Sequence, residues 1–528
     1  MGFSRVILLV SFSPVFFLIA VSAQQPAFSV VEATIADMQS AMQHGHVTSR
    51  DIVQQHLDRI GRYEDDLNAV ITLNPRALEE AEARDRERAQ GIVRGPLHGI
   101  PIALKDNIHT LDMPTTGGAL AFKGFVPPYE ATITKHLREA GAIILAKTNM
   151  TELANWVAGA MPGNFNALVG YGLNPYDPRR DTRPGTDDGR PMLSPGGSSS
   201  GAGTAANFWA ANVGTETSGS ILTPANQTML VGIKPTVGRI SRYGVIPITA
   251  DQDTAGPMAR TVADAAVLLG VLEGRSADPR DPATATCERI SDYTRFLNAR
   301  SLTGARIGIP RAGFYGEARH VMLVAEAIAV LKQQGATVID PADIPNQPLP
   351  PVCSGAAHGK GSDAGCSVVF KYGMKRDFNK WLASLGTSAP VKSLTELREW
   401  NLAHEKAGAL KYGQAQLDNS DEMDLEKDRA RYLADRERDL RQSGADGIDL
   451  VMKRERLDAL LFVGSTGAAV AAKPGYPTVI VPFGFAPSAP APLGISFTAM
   501  ACGEPRLIEL AYAFEQATKR RVPPPLFP

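Results

Sequence analysis

Residues 131–150, ATITKHLREAGAIILAKTNM, read as a helix, a glycine turn and a buried strand in immediate succession. A chain that switches so quickly from helical to strand periodicity belongs to a layered α/β fold, in which helices cover the strands they connect. The same order returns at ARIGIP, the helix through HVMLVAEAIAVLKQQGA, and TVIDP. LHGIPIALKDNI, LDALLFVG and YPTVIVPFGF add further short apolar strands. Strands that are apolar throughout need cover on both sides, so the expected fold class is α/β, a central mixed β-sheet with helices on both faces. Ahead of this unit, TSRDIVQQHLDRIGRY places Ile52, Val53, His56, Leu57, Ile60 and Tyr63 on one helical face, with Thr48 or Ser49 as the cap. At 528 residues the chain exceeds one small core, and it carries no internal repeat.

The first residues read differently. MGFSRVILLVSFSPVFFLIAVSAQQ has a basic start at Arg5, an apolar run from Val6 to Val21, and small residues at Val21-Ser22-Ala23. That pattern predicts a signal peptide over residues 1–23, cleaved after Ala23, because the run is short for a span and Pro14 interrupts it. The expected mature chain is secreted or periplasmic, with no membrane partner. A formal net charge of -1 and no basic stripe argue against nucleic acid. Export permits disulfides among Cys287, Cys353, Cys366 and Cys502. Cys353 and Cys366 bracket a glycine-rich loop that one bridge could staple, although spacing does not determine connectivity. Neither C-x-x-C nor H-E-x-x-H occurs, so no metal and no cofactor are expected.

The stretch SPGGSSSGAG, residues 194–203, raises the question of function. A flexible linker would run longer and join polar ends, whereas this one feeds into apolar sequence. A phosphate loop needs Lys-Ser/Thr after its last glycine, and Ala202 and Thr204 stand in those places. Gly197-Ser198-Ser199-Ser200-Gly201 satisfies the nucleophile elbow G-x-S-x-G, but DDGRPMLSP is a poor preceding strand. The later histidines, His320, His358 and His404, sit in polar or glycine-rich surroundings.

Three segments taken in order, LHGIPIALKDNI, PGGSSSG and GTETSGSILTPANQTMLVGIKPTVGRIS, resemble the amidase signature family, and AKTNMTELAN, LNPYDP, YGVIPITADQDTAGPMARTVADAAVLLG, PGYPTVIVP and LGISF extend the likeness. The resemblance implies a Ser-Ser-Lys triad: Ser220 the nucleophile, Ser198 the bridging acid/base, preceded at Gly197 by a cis peptide bond, and Lys105 the terminal base. It further implies an oxyanion hole built from the amides of Thr217, Ser218, Gly219 and Ser220. Ser199 is a supporting hydroxyl that could hydrogen-bond Lys105. On this basis the amidase domain covers residues 24–528, with a helical part at about 29–91, a signature core at about 92–275, and a C-terminal α/β part at about 300–528 that carries a charged helical insertion at about 374–445.

The chemistry fits the residue types. A serine hydroxyl is a weak nucleophile until a base removes its proton. A lysine normally titrates near 10.4, and placing it in an apolar strand such as Pro101-Ile102-Ala103-Leu104 lowers that value by penalising the ammonium. Two departures from the family pattern bear on substrate. Leu222 stands where many members have arginine, which disfavours substrates with a carboxylate there, and Glu216 replaces the commoner aspartate. The interval from Ser198 to Ser220 is also shorter than in many relatives, which leaves Ser199 as an alternative bridge. The expected activity is hydrolysis of a small-molecule or peptide amide by a monomer or homodimer. Two alternatives are a glutaminase-type subunit of a tRNA-dependent amidotransferase and a non-catalytic binding protein on the same scaffold.

Overall fold

In the computed structural model, which describes residues 1–2, 28–159, 161–315, 318–354, 361–485 and 491–528, the helix Ser49–Leu67 starts at Thr48. The Thr48 side chain accepts from the Asp51 amide while Asp51 reaches back to the Thr48 amide, a reciprocal cap. Ile52, Val53, His56, Ile60 and Tyr63 are buried along this helix, with Leu57 at the margin. The expected signal peptide, its cleavage point included, lies outside the described residues. Among the described residues no helix is long and apolar enough to cross a membrane.

The strands are β1 (Val70–Leu73), β2 (Pro101–Lys105), β3 (Ile143–Thr148), β4 (Phe165–Asn166), β5 (Gly170–Tyr171), β6 (Ala211–Glu216), β7 (Val231–Lys234), β8 (Thr254–Ala259), β9 (Arg306–Gly308), β10 (Thr337–Ile339), β11 (Ala459–Val463), β12 (Thr478–Phe485) and β13 (Pro492–Thr498). All but the β4–β5 hairpin form an 11-stranded sheet in the order β1-β3-β2-β6-β8-β7-β12-β13-β11-β9-β10. It is a mixed sheet. β2 runs parallel to both β3 and β6, the strands from β6 to β11 alternate, and β9 and β10 extend the far edge in parallel. Every residue of β2, β3 and β6 is buried, so helices and loops cover both faces as expected. The N-terminal part is not purely helical: β1 interrupts it as a half-buried edge strand paired with β3, too short for its alternation to stand out in the sequence.

A second apolar core lies away from the sheet. Phe122, Trp156, Phe165 and Tyr171, from loops after β2 and β3, meet Phe370, Phe378, Trp381 and Leu417 from helices in the 369–440 region. This cap has its own anchors: the Trp156 indole donates to Ser420 (2.8 Å), and Cys353 is bonded to Cys366. A second disulfide joins Cys287 to Cys502. The charge-dense segment from Leu417 to Arg441 is not a fully solvated helix. It buries Leu417, Met423, Tyr432, Asp435 and Asp439, the last two against Val368 and Ser367.

Candidate active site

Lys105 ends β2, and its side chain is fully buried. The amine donates to Ser198 Oγ (2.8 Å), Thr215 Oγ1 (2.8 Å) and, at 3.3 Å, the Thr215 carbonyl. All three acceptors are neutral. Burial drives the Lys105 pKa down to about 7, against an opposing pull from the charges of Asp253 and Glu216. A neutral amine has two N–H groups and one lone pair. With both N–H groups on Thr215, the lone pair is left for the Ser198 hydroxyl.

The serine run is a fastened turn. Asn164 Nδ2 donates to the carbonyls of Gly197 (2.8 Å) and Ser199 (3.2 Å), and the Thr151 amide donates to the Ser198 carbonyl (3.1 Å). Gly196 makes the reversal in the left-handed region at φ 102°, where any Cβ would lie 2.4 Å from the Pro224 backbone. The cis peptide expected before Ser198 is not found. Among the described residues the cis bonds precede Pro341 and Pro348, and here the glycine torsions turn the chain instead. The structure also distinguishes the two adjacent serines. Ser198 meets the lysine, whereas Ser199 faces the end of β6, donating to the Thr215 carbonyl (3.0 Å) and accepting from the Thr215 amide (3.1 Å). Ser199 therefore reaches Lys105 only through Thr215.

Ser220 sits against this turn. The Ser199 amide donates to the Ser220 carbonyl (3.2 Å), and a Cβ on Gly197 would lie 3.2 Å from Ser220 Cα, so only glycine admits the approach. Ser220 is half-buried and Ser218 exposed, so the site opens to solvent here. No hydrogen bond joins the Ser220 and Ser198 hydroxyls in this arrangement. The turn presenting Ser220 is clamped by Glu216, whose Oε2 accepts from the amides of Ile221 (2.7 Å) and Leu222 (2.9 Å). Gly219 adopts φ 95°. Among the described residues, no acceptor within the protein meets the amides of Thr217, Ser218, Gly219 or Ser220, which leaves them for a bound group. The Leu222 side chain is buried, at 1% exposure, and lends no charge to the cleft.

Three participants went unnoticed in the sequence. Thr215 holds the amine, Asn107 Nδ2 donates to Thr215 Oγ1 (3.0 Å), and Asp253 accepts from the Thr217 hydroxyl (2.5 Å). Thr215 and Asn107 stand within quoted motifs, but nothing in those motifs says where their side chains point. No histidine hydrogen-bonds the cluster; buried His109 instead accepts from the Trp381 indole (3.0 Å). Cys353, Asp363 and Cys366 lie together, but the disulfide occupies both sulfurs.

Comparison with known proteins agrees with this geometry. The sequence pattern of the amidase family matches residues 51–508. A probable amidase of Arabidopsis thaliana is 37% identical over 512 residues, covering 94% of this chain and 92% of the relative. The native peptide amidase of Stenotrophomonas maltophilia superposes with a TM-score of 0.84 at 39% identity, covering 93% of this chain and 98% of that one. A glutamyl-tRNA(Gln) amidotransferase component from Chloroflexus aurantiacus is 40% identical over 312 residues, but these span only 58% of this chain and 60% of the relative.

Proposed function

This chain belongs to the amidase family and is an amide-hydrolysing enzyme, and from that premise we propose that it cleaves peptide amides through an acyl-enzyme on Ser220. The observation that carries the reading is the buried Lys105 amine on the Ser198 hydroxyl, with no carboxylate in contact to keep it protonated. Neutral Lys105 accepts the Ser198 proton as Ser198 accepts that of Ser220, and Ser220 Oγ attacks the carbonyl carbon. The freed amides of residues 217–220 stabilise the oxyanion, about 3–4 kcal/mol per donor. The proton returns through Ser198 to the leaving nitrogen. The C–N bond breaks, ammonia or an amine departs, and water attacks the ester by the same relay in reverse.

Peptide amides are favoured because the similar solved enzyme is a peptide amidase aligned over nearly its full length, and because buried Leu222 provides no cation for a substrate carboxylate. The amidotransferase reading has less support, since its relatives align over little more than half of the chain. Export is part of the proposal. The signal-like start and the two disulfides, which together take up all four cysteines, support an oxidising compartment. The test is labelling with a fluorophosphonate followed by peptide mapping. The adduct is expected on Ser220 and absent from S220A, which should retain its fold and lose turnover; turnover persisting in S220A would remove the assignment.

A further inference from the structure

The loop 248–253 touches none of the three proposed catalytic side chains, yet it holds the first residue of the oxyanion turn from two directions. Asp253 is 9% exposed, and its carboxylate oxygens serve separate partners. Oδ1 accepts from the Thr217 hydroxyl at 2.5 Å, and Oδ2 accepts from the amides of Ile248 and Thr249, both at 2.9 Å. The neighbouring Gln252 side chain donates to the Thr217 carbonyl at 3.2 Å. Thr217 is thus fixed at its hydroxyl and its carbonyl, while its amide has no partner among the described residues.

The other side of the loop is gripped by the cap. Asp251 accepts from the Tyr432 hydroxyl (2.9 Å) and from Arg376 (3.0 Å), Arg436 donates to the Asp251 carbonyl (3.1 Å), and Asp377 accepts from the Ala250 amide (2.7 Å). One short loop therefore joins cap contacts on one side to the oxyanion turn on the other, with Asp253 as the last link.

We propose that Asp253 is a positioning residue for amide hydrolysis: by holding the Thr217 hydroxyl it aims the amides of residues 217–220 at the developing oxyanion, against a loop braced by the cap. The proposal rests on the Ser220 reading. Hydrogen bonds in an oxyanion hole act only when their direction is set before the reaction, so a displaced Thr217 costs turnover more than ground-state binding. A carboxylate that merely caps residues 248 and 249 would affect stability alone.

The experiment compares kcat and KM of wild type, T217V, T217S, D253N and the T217V/D253N double variant on an N-acetyl dipeptide amide, with thermal melts alongside. The expectation is a fall in kcat of about tenfold or more for T217V and D253N, with KM within about threefold. T217S keeps the hydroxyl and should restore near-wild-type kcat. The double variant should be no slower than the worse single variant, since both break one link. Losses that multiply, or T217V and D253N turning over within twofold of wild type, would overturn the proposal. If D253N fails to fold, the T217V/T217S pair decides by the same criteria. S220A separates the two readings: an active S220A removes the Ser220 assignment, whereas a dead S220A beside a fully active T217V removes only this one.

Discussion

Lys105 and Lys147 end up on neighbouring parallel strands, both with fully buried side chains, and their surroundings make them different reagents. Lys147 has a carboxylate partner, Asp106 at 3.3 Å, and also donates to Thr115 Oγ1 (2.8 Å) and the Pro114 carbonyl (3.0 Å). Lys105 meets only hydroxyls and a carbonyl. Desolvation lowers both pKa values, but at Lys147 the adjacent Asp106 charge opposes the loss of the proton, whereas the carboxylates that act on Lys105 make no contact with it. Burial alone does not make a base. A buried unpaired ammonium costs several kcal/mol, and releasing the proton removes that cost. A buried paired lysine is a structural tie, and its partner is the distinguishing feature.

Exchanging the two amines for thioether chains is the strongest way to break this contrast. K105M is expected to lower kcat by about 10⁴-fold or more with a melting temperature at or above wild type, because it removes the base and leaves no buried charge behind. K147M should do the reverse, costing about 3–5 kcal/mol of stability by stranding the Asp106 carboxylate, while folded enzyme well below its melting point keeps most of its kcat. Denaturant titration beside steady-state kinetics checks both. If K147M proved stable and inactive, or K105M active, the distinction would be lost.

The pH profile sharpens the comparison further. With its pKa lowered to about 7, the Lys105 amine is protonated on the acid side and has no lone pair for Ser198. kcat/KM should therefore rise about tenfold per pH unit up to roughly pH 7 and then level off. K147M should leave that midpoint in place. A flat profile between pH 5 and 7 would argue against Lys105 as the base.

The smallest effect belongs to a third buried lysine. Lys234 on β7 donates to the Tyr476 carbonyl (2.7 Å), and burial lowers its pKa to about 8 although no serine contacts it. K234M is expected to cost about 1–3 kcal/mol, for the carbonyl left unpaired, and to leave kcat within twofold. A large kcat loss there would mean that a lowered pKa suffices without the serine contact.

Much of the site was legible before any coordinates. Lys105 at the end of an apolar run, Ser198 after two glycines, and Ser220 in TSGS are local patterns, and the glycines mark where chain must pass close to chain. The α/β alternation was equally visible, because periodicity is local. Direction was not. Adjacent Ser198 and Ser199 read alike, yet one faces Lys105 and the other Thr215. Asp253 stands 36 residues from Thr217, and its carboxylate could as well have reached solvent. The Cys287–Cys502 bridge spans 215 residues, beyond anything spacing reveals.

The order of residues thus settled which chemical groups were available and which elements would carry them, since propensity, apolar period and glycine placement act over a few positions. Only the packed sheet, with the cap and loops closed over it, decided which lysine kept a counter-ion and which was left with neutral partners. That choice depends on distances of about 3 Å between segments far apart in the chain, where the dielectric is low enough for a missing carboxylate to change a protonation state.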